Sequence, residues 1–291
     1  MYLGKQARYA AVFCCGLISC LILSNLAIAH NHIGRISYQD YSLATSNVHV
    51  VKIPHNAVRK IRVKVAPSIQ PLKKFLTPNK TVAALNGGYF DPGNQKTASY
   101  VIQDGQIIAD PRTNARLIDN PKLDPYLGKV LNRSEFRRYR CGPETRYDIV
   151  FHREPTPSGC SLVDSLGAGP QMLPENTSTA EAFTAYKDGK LVRNAIGENL
   201  PNARSAIAIT KDNDVLLVMV EQLMPKNSGM SLVDLGKFLR GQGVVKALNL
   251  DGGSSSTLYY KNKLEDELYY GRLDREGNKV IRSVKSVLVV E

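Results

Sequence analysis

Two distant stretches of this chain join an apolar run to an amide and a pair of glycines. Thr81 to Leu85 runs into Asn86-Gly87-Gly88-Tyr89-Phe90, and Val244 to Leu250 carries Asn249 and ends at Asp251-Gly252-Gly253-Ser254-Ser255-Ser256. A strand that ends in a carboxylate and then in residues poor at holding a strand brings its backbone close to something, because glycine has no Cβ. The chemistry open to such a set is specific. Asp251 could supply negative charge or take a proton, and Asn86 and Asn249 could fix hydroxyl groups. The N–H groups and hydroxyls of Gly252 to Ser255 could cradle an anion. Arg204 opens an apolar strand and could hold a phosphate in a two-point fork. Glu221 closes the partner strand and could serve as a second carboxylate. Each residue alone has a plainer reading: Asp251 as a hairpin turn residue, Arg204 as a surface charge, Glu221 as a solvated turn residue, the asparagines as backbone caps. The repeated pattern, with an arginine between its two copies, gives the set its meaning.

The elements that must position these residues read mostly as strands. Ile61 to Val65 alternates apolar and basic residues. Tyr100 to Ala109 and Tyr186 to Arg193 read as hairpins turning at Asp104-Gly105 and Asp188-Gly189. Ala203 to Thr210 pairs with Val215 to Val220 across a Lys-Asp-Asn-Asp turn, and Ser283 to Val290 makes a last strand. Ser231 to Leu239 is the clearest helix, with Ser231 as N-cap, one face of Leu232, Leu235, Phe238 and Leu239, and Gly241 and Gly243 beyond it. The expectation is an α+β single domain, residues 30–291, with a mixed, strand-rich sheet and few helices. Residues 111–161 have the weakest periodicity and read as a basic, disulfide-stapled insertion.

Lys5 and Arg8 precede an acid-free apolar stretch ending in Ala27-Ile28-Ala29, so residues 1–29 read as a signal peptide cleaved before His30. An uncleaved membrane anchor and a lipoprotein cysteine at Cys20 are the rival readings. Cleavage removes two cations and no acid, which takes the net charge from +12 to +10. It also leaves Cys141 and Cys160, most simply a disulfide in an exported chain. Ten arginines and lysines fall between Arg112 and Arg153. Export argues against nucleic acid as their partner, so they read as a solvated face for acidic polymer or a membrane surface.

No Gly-x-Ser-x-Gly elbow, Walker sequence or spaced histidine cluster is present, and four of the five histidines lie at or before His55. The motifs that remain resemble the phosphodiester glycosidase family. Asn86-Gly87-Gly88-Tyr89-Phe90, the Val101 to Gly105 hairpin, Ala203-Arg204-Ser205-Ala206-Ile207, the Met230 to Leu239 helix, Asn249 to Ser255 and Arg282 to Val290 all correspond to family segments. Glu221-Gln222 stands where many members carry Asp-Gly, and Ser254 where some carry a third glycine. The resemblance implies an exported hydrolase acting at the anomeric carbon of a sugar joined through phosphate, on an anionic cell-envelope or exopolysaccharide glycan. Asp251, Glu221 and Arg204 would then be catalytic. Asn86, Gly88, Tyr89, Phe90, Asn249, Gly252, Gly253, Ser254 and Ser255 would bind substrate. A glycosidase for non-phosphorylated glycans and a non-catalytic polysaccharide-binding module are the alternatives. No motif names a cofactor; a lone Asp with Asn and Ser oxygens could hold calcium, though no spacing demands it.

Overall fold

The computed structural model describes residues 34–262 and 266–291. The expected signal peptide, residues 1–29, lies outside them. Among the described residues the strands form three sheets and one separate hairpin. The first sheet runs Ser37–Ser42, Ser46–Ile53, Val215–Gln222, Arg204–Thr210, Val244–Asn249, Gln171–Leu173. The second runs Asp266–Tyr270, Thr257–Lys261, Ala83–Asn86, Val284–Val290, Ile61–Gln70. The third runs Gln106–Ala109, Val101–Gln103, Cys160–Gly167, Ser134–Cys141, Glu144–Phe151.

Every neighbouring pair in the three sheets is antiparallel, so the fold is strand-rich with few helices, as expected, but the sheets are not mixed. Both anticipated Asp-Gly hairpins form, with Asp104, Gly105, Asp188 and Gly189 all at positive φ, and such two-residue turns return the chain antiparallel.

Alternation along Arg204–Thr210 shows how the layers assemble. Ile207 and Ile209 face a central core that draws Val51 and Leu217 from the first sheet, Leu85 and Leu288 from the second, and Phe136 and Leu166 from the third. Ala206 and Ala208 face the other way, under the Leu232–Gly241 helix. Their small side chains let Leu232, Leu235 and Leu239 pack down on the sheet. Ser231 caps that helix by accepting the Asp234 N–H at 3.1 Å.

The basic segment departs from its sequence reading. Short helical turns occupy Pro111–Thr113, Ala115–Ile118 and Asp124–Val130, but Ser134–Cys141 is an inner strand of the third sheet, not an excursion. Its period was hidden because charged residues point inward as pairs. Arg137 and Glu135 are both buried and bond at 2.5 Å, and Arg138 pairs with the fully buried Asp164 at 2.7 Å. Arg133 is buried too, its guanidinium 3.8 Å over the Phe183 ring. Arg133, Arg137 and Arg138 are therefore internal structure, while the other seven cations of the segment stay exposed. Cys141 and Cys160 sit opposite each other on adjacent strands and form the expected disulfide. No helix among the described residues is long and apolar enough to cross a membrane.

Candidate active site

The two glycine-pair motifs meet. Asp251 N–H donates to the Gly87 carbonyl at 3.1 Å, and Asn86 Nδ2 donates to the Asp251 carbonyl at 2.6 Å. Asn86 Oδ1 accepts from the Ser205 hydroxyl at 2.6 Å and the Thr257 N–H at 3.1 Å. One fully buried amide thus ties the ends of strands from two sheets. Asn86 has no group left for a sugar hydroxyl, which corrects the role expected of it. Asp251-Gly252-Gly253 is no hairpin, but the crossing from the first sheet to the second, with a short helical turn at Gly253–Ser255.

A cleft of about 290 Å³ opens at this crossing, lined by Tyr89, Ala195, Ile196, Asn202, Arg204, Asp251, Gly252 and Gly253. Asp251 is the one carboxylate among these lining residues. Burial pushes its acid up to about 6 from an ordinary 3.8; hydrogen bonds from Ser255 and the Gly252 N–H and the positive charge of Arg282 act against that rise. The Tyr89 phenol donates to the Gly169 carbonyl at 3.0 Å and accepts from Asn249 Nδ2 at 2.7 Å. Burial, with Asp251 nearby, holds it well above the ordinary tyrosine range, so it stays neutral.

Several expected roles change. Arg204 lies in the cleft wall, but its Nε and both Nη atoms donate to the carbonyls of Met230, Ile196, Gly197 and Leu200 at 2.8 to 3.2 Å. Four of its five N–H donors are spent, so it cannot offer phosphate a free fork. The anion cradle is also largely spent: Gly253 N–H donates to Ala203 and Ser255 N–H to Gly252. Asn249 Nδ2 serves Tyr89 and Gly169, while its buried Oδ1 has no partner. Phe90 packs against the outer face of the second sheet, away from the cleft lining. Ser254 faces a neighbouring groove.

Glu221 is separated from the site by strand parity. Arg204 pairs with Val220, so their side chains share the helix-covered face, and Glu221 points the opposite way. There His49 Nε2 lies 2.8 Å from it, and Lys279 pairs with its other oxygen. Burial alone would raise its carboxyl, but the bonds from His49 and Lys279 outweigh burial and hold it below the usual range. The second carboxylate near Arg204 is instead Glu198, buried, whose charge acts on the guanidinium and whose Oε2 has no hydrogen-bond partner.

Three further residues stand at the crossing, of which only Arg282 falls in a segment with a family counterpart. Asn202 Oδ1 accepts from Arg272 Nη1 at 2.8 Å beside Gly253, and Arg282 sets its charge against Asp251 while lying 5.9 Å from the Phe90 ring centroid. These arginines, not Arg204, are the cations with capacity left at the crossing. Among the described residues no group of three or more His, Cys, Asp or Glu could hold a metal ion.

A profile of the phosphodiester glycosidase family matches residues 79–291. The chain belongs to that family. Membership points to a hydrolase of this kind. The catalytic domain of a zebrafish N-acetylglucosamine-1-phosphodiester alpha-N-acetylglucosaminidase, auto-inhibited by its pro-peptide, is similar in fold, with TM-score 0.59 and 17% identity over 88% of this chain and 82% of that one. A protein from Burkholderia pseudomallei gives TM-score 0.56 and 16% identity over 84% and 74% of the two chains. A hypothetical protein from Synechocystis gives 0.53 and 16% over 88% and 61%. No curated protein sequence matches the chain.

The glycines separate structural from functional demands. A Cβ on Gly88 would lie 2.3 Å from the Gly167 carbonyl oxygen, so Gly88 allows two backbones to approach, not a substrate. Gly88→Ala is expected to cost about 3 kcal/mol or more, read by thermal unfolding. Gly253 has φ +60° and nothing closer than 3.8 Å to an added Cβ. Gly253→Ala is expected to cost only about 1–2 kcal/mol of stability while lowering kcat/KM through the methyl group it puts beside Arg272 and Asn202. Equal stability losses at the two positions would refute the distinction.

Proposed function

We propose that this protein is an extracytoplasmic hydrolase that cleaves the bond between an anomeric carbon and phosphate in a sugar-1-phosphodiester. The observation that carries this is a cleft with a single lining carboxylate, Asp251, flanked by arginines, in a chain of this family. A simple glycoside needs one carboxylic acid to protonate the leaving oxygen and a second carboxylate across the ring. A phosphate monoester leaves as a stable anion and needs no such acid. Asp251 then takes a proton from water as the water oxygen bonds to the anomeric carbon. The carbon–oxygen bond to phosphate breaks, and its electron pair leaves with the phosphate. Arg272 and Arg282 neutralise the departing charge, and Tyr89 offers its ring as the floor beneath the sugar.

The disulfide and the apolar N-terminal stretch support an extracytoplasmic site of action, and the net charge of +10 after cleavage suits an anionic substrate. The zebrafish relative's printed substrate makes N-acetylglucosamine-1-phosphodiester the first sugar to try. The test compares a chromogenic N-acetylglucosamine-1-phosphodiester with the matching neutral glycoside; faster turnover of the glycoside, or none of either ester anomer, overturns the reading.

Base catalysis sets the pH profile. The ionised form of Asp251 is the active one, so kcat/KM should climb with pH through about 6 and then level off. A profile that falls above this value would make Asp251 an acid instead.

A further inference from the structure

The crossing loop has a second side. Beyond Gly253, Ser254 and Arg272 border a groove of about 830 Å³, far larger than the 290 Å³ cleft that holds Asp251. The Arg272–Asn202 bond joins the walls of the two cavities, since Arg272 lines the groove and Asn202 the cleft. The groove surface is mostly apolar. Met224, Pro225, Leu273 and Val280 supply it, with Lys226 and Arg275 at its edge. The apolar character spreads onto the rim, where Met224 is 47% exposed and Ile281, next to Val280, is 65% exposed. Two acids also line the groove. Asp274 is turned into its own loop, accepting the N–H groups of Glu276 and Asn278, and Glu276 is exposed.

An apolar surface of this size, rimmed by cations and open to solvent, marks a binding site rather than a packing fault. Its chemistry is selective. No aromatic ring lines it, so it lacks the platform that a sugar or a base would use, and its apolar walls are aliphatic or thioether. Arg272 stands at the end nearest the crossing loop, beside Gly253, as an anionic head would require.

We infer that this groove holds the leaving-group side of the substrate, and that this side is a hydrocarbon chain esterified to the phosphate. The inference rests on the hydrolytic reading above. The phosphate lies at Arg272 and Ser254, the sugar in the Asp251 cleft, and the chain runs along Met224, Leu273 and Val280. The substrate class is a lipid-linked sugar phosphate.

Binding and turnover test this separately. Titration calorimetry compares hexyl phosphate with glycerol phosphate on the full exported protein. Hexyl phosphate is expected to bind about tenfold tighter or better, from burial of its methylene groups. Met224→Asn, at an exposed position, and Val280→Ser should each remove most of that preference without changing the affinity for glycerol phosphate. Equal affinities, or a preference that survives both substitutions, overturns the groove assignment. Turnover of hexyl and glycerol esters of the same sugar-1-phosphate should show the same preference in kcat/KM. If hexyl phosphate binds as expected and neither ester is cleaved, the groove assignment stands and the hydrolytic reading falls.

Discussion

Asp251→Asn is expected to lower kcat/KM by about 10²–10⁴ while leaving the fold intact or more stable. The two effects share one cause. Burial raises the acid of Asp251 to about 6 from 3.8, so the folded state prefers the protonated form. A raised acid adds nothing against folding below its unfolded value. It becomes a cost as pH rises between about 4 and 6, and the whole cost is present at neutrality. Asparagine has nearly the same shape and no charge to desolvate. At pH 7 the variant should therefore gain about 1–3 kcal/mol in unfolding free energy, and below pH 4 it should gain nothing. Rates measured beside thermal unfolding at two pH values decide the matter. Near-normal turnover would remove Asp251 from the chemistry, and a drop in stability would make it a structural residue.

Arg204→Lys is expected to damage the fold first. Arginine satisfies four carbonyls, those of Ile196, Gly197, Leu200 and Met230, from a 3% exposed position. A lysine ammonium is a point donor that cannot reach the same set, and buried carbonyls left without partners cost about 1–3 kcal/mol each. A loss of about 3 kcal/mol is expected, seen as a lower unfolding midpoint. Ala195 and Ile196 form one wall of the cleft, so activity should fall on phosphodiester and neutral substrates alike. An unchanged midpoint with loss confined to the phosphodiester would return Arg204 to the phosphate.

The sequence made part of this site legible. The segments at Asn86, Arg204 and Asp251 do converge, and the helix, the two Asp-Gly hairpins and the disulfide form where their patterns place them. The individual assignments within the convergence were harder, because strand-end position does not reveal which face a side chain takes. Glu221 shows this plainly: the turn before Val215 was readable, but one step of strand parity carries its carboxylate to His49. Asn86 shows the complement, an amide of the right type at the right place, fully consumed by the backbone of Asp251 and Thr257 and the hydroxyl of Ser205. Asn202, Arg272 and Arg282 lie in irregular segments, where no periodicity marks them. The Ser134–Cys141 strand was lost because its inward charges mimic a solvated segment.

The Asn86–Asp251 link, between residues 165 apart in the chain, also bears on how the molecule is made. Contacts of such sequence separation close late, since a long loop loses its entropy before the contact repays it. Asp251 is held at the end of a strand whose partners include Arg204–Thr210 and whose exit is pinned by Asn86, so the site has no local version. A nascent chain presents Asn86 long before Asp251 emerges. The site is consequently completed at the end of folding and in a single event, and an incomplete chain lacks it.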